Sequence, residues 1–284
     1  MIGFATRSDL IGAIGRARRV ELSSWQLQRS NPVVAALEAA GDRGCDVRVT
    51  LERAPWLPDP RRRDALQQAN ADTVAALERH HVDAQLSDEH SAPLHLKAAL
   101  VDGRAYLAQR NWAKDETFVT TPDVADAAAI ESAIERKPYD TADLALRKDH
   151  ALALEAALIR EAAPGAAIEC ETESFGVSCV SDALLERARR GEKNMRLILN
   201  GGALAERAAP RAANATLAAL RAAGVEVERS RADGKFCVAG AGVWLGSANA
   251  TAGQGWTLDW GMRTNDPAVA GALRARFERD WSAV

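Results

Sequence analysis

The chain has 284 residues, a net charge of -3 and a pI near 6.0, which excludes a strongly basic coat for nucleic acid. Its apolar fraction of 47% can fill one large core or two ordinary ones, and its charged fraction of 26% is that of a soluble protein. No stretch of about 18 apolar residues and no basic-then-apolar N-terminal segment is present, so a cytoplasmic protein without a stable membrane anchor is expected.

Arg7 to Arg19 reads as an amphipathic helix and Val20 to Trp25 as a strand. Pro32 opens a helix over Val33 to Ala40 that stops near Gly44, and Asp46 to Leu51 is a second strand. After the Pro55–Pro60 loop come a long helix, about Arg61 to His80, and a short strand at Val82 to Gln85. Strands at Leu94 to Val101 and Ala105 to Leu107 turn at Asp102-Gly103, and a helical stretch from Asp123 to Arg136 reads as a connector.

The same order then recurs. A helix over about Thr141 to Ala162 stops before Pro164-Gly165, followed by a strand at Ala167 to Thr172, a helix at Ser181 to Arg190 and a strand at Met195 to Leu199. A helix from about Ala208 to Ala223, a short strand at Val225 to Glu228 and a hairpin of Lys235 to Ala239 with Val243 to Leu245 follow. An amphipathic helix from Pro267 to Trp281 ends the chain. Alternation of strand and helix predicts an α/β protein of two pseudo-symmetric halves, each a mixed sheet flanked by helices, divided as 1–140 and 141–284. Equivalent loops of two such halves would face each other across a seam, which is the expected cleft.

Spacing supports the repeat. His95 to Asn111 is sixteen residues, as is Asp233 to Asn249; within that window Lys97 matches Lys235 and Leu107 matches Leu245. Alternation on a strand would turn His95 and Lys97 to one side. Imidazole titrates near neutrality and can attack phosphorus when neutral. Lysines place fixed positive charge where a phosphoryl group gathers negative charge, and Asn amides and a Ser hydroxyl add uncharged donors.

His95-Leu96-Lys97-Ala98-Ala99-Leu100-Val101-Asp102 fits an H-x-K-x4-D pattern and Gly246-Ser247-Ala248-Asn249 a G-S-x-N element. Together with Asp259-Trp260-Gly261 near the end, they make the chain resemble the phospholipase D superfamily over nearly its whole length. The resemblance implies a phosphodiesterase or phosphatidyltransferase, a hydrolase working by two-step phosphoryl transfer through a phosphohistidine at His95. Lys97, Lys235, Asn111, Asn249 and Ser247 would hold the phosphate, and Asp259 would orient the histidine. Asp115 or Glu116 would be its first-half equivalent. Asp102 is the motif aspartate, and Glu173, at a strand end, is a further candidate for contacting substrate or orienting His95. Neither metal nor cofactor is implied, because the lysines supply the electrophilic charge.

The second copy departs from the pattern. Asp233 stands where a second histidine is expected and Gly240 where the motif aspartate is; the first copy has Ala108-Gln109 in place of Gly-Ser. Asp233 is either the general acid or part of a turn with Gly234, and the alternative function is a catalytically impaired phosphate- or nucleic-acid-binding protein, or a nuclease. The expected partner is a phosphodiester, phospholipid or nucleic acid, met by a monomer or, if two His95 side chains combine, a homodimer. Trp25, Trp56 and Trp112 are candidate exposed contacts. Cys45, Cys170, Cys179 and Cys237 form no CxxC pair and are expected as buried free thiols, with zinc and disulfides both disfavoured.

Overall fold

The computed structural model describes residues 2–88, 90–113, 117–201, 210–251 and 255–284. Contacts divide the chain into two units, 1–142 with 256–260, and 143–255 with 261–284. Among the described residues no helix is long and apolar enough to cross a membrane.

The first unit runs β1 (Gly3–Thr6), α1 (Arg7–Ile14), β2 (Arg19–Ser24), α2 (Pro32–Asp42), β3 (Asp46–Leu51), α3 (Pro60–Glu78), β4 (Asp83–Leu86), β5 (Ala98–Val101), β6 (Arg104–Leu107), β7 (Thr117–Thr121) and α4 (Val124–Ile134). Its strands form one seven-stranded sheet in the order β1-β7-β6-β5-β2-β3-β4. Strands β2, β3 and β4 are parallel to one another, whereas β5 meets β2 antiparallel.

The second unit runs β8 (Leu144–Ala145), α5 (Lys148–Glu161), β9 (Ile168–Thr172), α6 (Cys179–Arg189), β10 (Met195–Asn200), α7 (Pro210–Ala222), β11 (Glu226–Ser230), β12 (Phe236–Ala239), β13 (Gly242–Gly246), β14 (Gly261–Thr264) and α8 (Pro267–Ser282). Its sheet order, β8-β14-β13-β12-β9-β10-β11, repeats the first strand for strand. Parallel and antiparallel neighbours repeat too, and so does register: Ser23 pairs with Ala98 in the first sheet as Glu171 pairs with Phe236 in the second.

Side-chain caps set the helix starts. Asn31, Asp59 and Asp266 each precede a proline at the first helical position and accept backbone N–H groups of the first turn. Asp123 caps α4 in the same way. The stretch expected as a connector is therefore an integral helix. It follows β7 as α8 follows β14, and buries Ala129, Ile130 and Ala133 against its own sheet.

The first helix is shorter than its apolar pattern. It ends at Ile14, because the N–H groups of Arg18 and Arg19 donate to the Asp102 carboxylate at 3.0 and 2.9 Å and the chain is already extended at Arg19. Asp102 sits at φ 48° in the β5–β6 turn, and its own N–H donates to the Arg19 carbonyl at 3.0 Å. Gly240 does the same in the second unit, at φ 59° with its N–H on the Ala167 carbonyl at 3.0 Å. The motif aspartate is thus a turn residue in left-handed backbone, and a glycine meets that conformational demand without strain.

The second core contains a buried carboxyl. Glu155, on α5, is buried within the second unit, and burial pushes its carboxyl from the ordinary 4.5 up to about 8. Between those two values the folded chain holds a proton that the unfolded chain has released, so stability falls as pH rises through this window. Raising the pH from about 5.5 to about 7.5 is expected to cost chelator-treated native protein about 2 kcal/mol more than it costs Glu155→Gln. Urea unfolding at the two pH values measures this; equal losses would show that Glu155 does not titrate in that window.

Candidate functional site

His95 is placed by a strand-like contact that is absent from the sheets. Its N–H donates to the Leu258 carbonyl at 2.9 Å, and the Leu258 N–H donates to the Pro93 carbonyl at 3.0 Å. These bonds make a parallel bridge between Leu94 and Leu258. Trp260, fully buried, pins the far end by donating its indole N–H to the Ala108 carbonyl at 2.8 Å. Asp259 lies between these anchors, and its Oδ1 stands 2.6 Å from His95 Nδ1.

The pair sits at a boundary. Asp259 is buried, whereas the His95 side chain retains 23% exposure. The Trp25 ring meets the imidazole edge-on at a centroid distance of 5.8 Å. A carboxylate on Nδ1 fixes the tautomer that carries the proton there and leaves Nε2 with its lone pair.

Lys97 follows on the same extended segment. Its side chain is buried to 2% exposure and its Nζ donates to the His95 carbonyl at 2.7 Å. The strand expected to begin at Leu94 begins only at Ala98, because residues 93–95 pair with Leu258 instead of with β2. Even so, the Lys97 carbonyl accepts from Ala108 N–H at 2.8 Å, as the Lys235 carbonyl accepts from Gly246 N–H at 3.0 Å. Asn111 and Asn249 also correspond: each buries an Oδ1 that has no hydrogen-bond donor among the described residues. A buried carbonyl oxygen without a donor is costly.

Several supporting residues carry no sequence motif. Glu52, buried at the end of β3, accepts the Leu94 N–H on Oε2 at 2.5 Å and the Ala54 N–H on Oε1 at 2.9 Å. Asn70 of α3 donates to the Trp25 and Glu52 carbonyls at 3.0 and 2.8 Å. Arg136 Nη2 donates to Ser91 Oγ at 2.6 Å and to the Ala92 carbonyl. Together these bonds hold the segment that leads into His95. Their only signal was polar chemistry, which many surface residues share.

In the second unit the altered motif is built differently. Gly234 N–H donates to Glu171 Oε1 at 2.8 Å, and Arg276 Nη2 donates to the same oxygen at 2.8 Å. A Cβ at position 234 would lie 2.2 Å from Glu171 Oε1 and 2.5 Å from Arg276 Nη2, so a side chain here requires one or both of these groups to shift. Burial pushes the Glu171 carboxyl up to about 7 against the opposing pull of Arg276. Lys235, buried to 2% exposure, pairs with Glu173 at 2.8 Å. Asp233 is half-buried and precedes β12, and Ser247 is fully buried just after β13.

The remaining expectations divide. Glu173 stands on Lys235, and the carboxylate on His95 Nδ1 is Asp259. Asp102 serves the turn described above. Asp115 and Glu116 lie outside the described residues. Trp56 is 57% exposed and Trp25 half-buried; Trp112, expected at the surface, is fully buried and donates its indole N–H to Ser24 Oγ at 3.0 Å. Cys170 and Cys237 are buried free thiols, and Cys45 and Cys179 are half-buried ones.

Gly234→Ala is expected to lower stability by about 2 kcal/mol or more, through a forced shift of Glu171 and Arg276. Urea unfolding tests this, and an unchanged midpoint would show that the two side chains can move aside freely.

No family model matches the chain, and no curated protein sequence does. Solved structures do match. The polyphosphate kinase of Porphyromonas gingivalis superposes on 98% of this chain at a TM-score of 0.69 and 14% identity; 49% of the kinase chain is covered. The phosphatidylserine synthase of Haemophilus influenzae Rd KW20 superposes on 99% at a TM-score of 0.67 and 12% identity, with 85% of that chain covered. The chain thus spans about half the length of one and most of the other.

Proposed function

We propose that this chain, which has the duplicated fold of the phospholipase D superfamily, is a phosphodiesterase or phosphatidyltransferase that works through a phosphohistidine at His95. The observation that carries this reading is the Asp259 carboxylate 2.6 Å from His95 Nδ1, on a ring that is itself part-exposed. Neutral Nε2 attacks phosphorus and forms the N–P bond while the bond to the leaving oxygen breaks. The imidazolium that results is stabilised by Asp259, and a general acid protonates the leaving alkoxide. Water or an acceptor alcohol, losing its proton to the same group, then attacks the phosphohistidine and returns His95 to its starting state.

Lys97 supplies fixed positive charge beside the histidine. Lys235, Asn249 and Ser247 are assigned to phosphate binding on the strength of the repeat, and Asp233 to the acid by its place in the second motif. The substrate class is a phosphodiester, either a phospholipid head-group ester or a nucleic-acid backbone. Likeness to a phosphatidylserine synthase adds transfer to an alcohol to the reactions worth testing.

One observation favours a second reading, a phosphate-binding protein with impaired catalysis. Glu173 already occupies Lys235, and Glu171 with Arg276 fills the space at Gly234, so the second motif is tied into carboxylates of its own unit.

The test is turnover of bis-p-nitrophenyl phosphate, phospholipid vesicles with and without an added alcohol, and single-stranded DNA. His95→Ala is expected to abolish turnover and acid-labile phosphorylation of the chain. Asp259→Asn is expected to lower kcat by about a thousandfold with the fold intact, and Asp233→Ala to remove most activity on substrates with poor leaving groups. Activity that survives His95→Ala would overturn the nucleophile, and a native chain that binds phosphate but turns over none of the substrates would establish the second reading.

A further inference from the structure

The second core contains a cluster that the proposed reaction does not use. Cys170 on β9 and Cys237 on β12 are directly opposed in the antiparallel pairing, with Sγ atoms 3.0 Å apart. A carboxylate oxygen of Glu155 joins them, and the three donor atoms all lie within 4.8 Å of one another. All three side chains are buried. A sequence separation of 67 between the cysteines hides this grouping from any spacing rule.

The internal duplication supplies a control. In the first unit the matching cross-strand pair is Leu22 with Ala99. Glu155 lies eight residues beyond its cap Arg147, and Ile14 lies eight beyond its cap Thr6. Ile14, Leu22 and Ala99 are each fully buried in one apolar cluster. The fold is therefore satisfied by hydrocarbon at these three places, and packing does not account for two thiols and a carboxyl. An uncoordinated carboxyl in such a core is a destabilising choice. A disulfide would use the two cysteines and leave Glu155 unexplained.

We propose that Glu155, Cys170 and Cys237 are ligands for a buried thiophilic divalent cation of the zinc class. Two thiolates and one carboxylate are a ligand set such an ion accepts, and its charge offsets theirs. Binding releases the protons that burial holds on these groups, so affinity rises with pH. The ion would tie α5 to the β9–β12 pair, making it a structural centre distinct from the phosphate chemistry.

The experiment uses the full chain, reduced and then freed of reductant and metal, titrated with Cd²⁺ as a spectroscopic substitute and separately with Zn²⁺. Thiolate-to-Cd²⁺ charge-transfer absorption that saturates at one equivalent is expected, together with a rise in Tm of about 5 °C on adding Zn²⁺. Both effects are expected to vanish in Glu155→Ile/Cys170→Leu/Cys237→Ala, which installs the first unit's own trio, and in the milder Cys237→Ala. Glu155→Gln is expected to weaken Cd²⁺ binding by about tenfold or more. No absorption in the native chain, or absorption that persists in both cysteine variants, would overturn the site. So would a thiol count that falls by two in unreduced, metal-free protein, since that identifies a disulfide.

Discussion

One short contact governs the placement of His95 in the first unit. Two backbone hydrogen bonds lay Leu258 against residues 93–95, and Trp260 anchors the end of the same stretch on Ala108. Asp259 is carried between these anchors to His95, 164 residues earlier in the chain. Backbone bonds fix position more firmly than a side-chain pair could alone, because they leave little freedom for either segment to slide. The imidazole's tautomer and orientation depend on that placement.

The duplication shows which features the fold demands and which it merely permits. Demanded are the strand order, the carbonyl of the motif lysine bonded eleven residues on, and left-handed backbone at Asp102 and Gly240. Permitted is divergence in what fills equivalent positions. Leu96, fully buried, stands where Gly234 makes room for Glu171 and Arg276. The Leu22–Ala99 pair stands where the second core has Cys170 and Cys237. Buried polar groups in one copy against hydrocarbon in the other carry a cost in stability, so they point to a task that the apolar copy does not perform.

Much of the architecture was legible because both sheets rest on buried apolar strands with a regular order. The strands that escaped notice, β1, β7, β8 and β14, lie together at one end of each sheet and hold two to five residues each. So short a segment carries little periodicity of its own and is recognised by its hydrogen-bonded neighbour. The helix at Val124–Ile134 was visible as a helix but not as a repeat of the C-terminal one, since their similarity lies in what they pack against. Trp112 shows the same limit: nothing local distinguishes a surface indole from one whose N–H meets Ser24 in the core.

By itself the sequence determined the repeat, the lysine and asparagine spacing and the identity of the histidine, because these are properties of residue order along one chain. Tertiary structure alone decided that Asp259 meets His95, that Glu52 and Asn70 brace the segment before it, and that Glu155 joins Cys170 and Cys237. Each of those contacts joins residues far apart in the chain, and such proximity arises only when sheet registers close and distant segments are laid side by side.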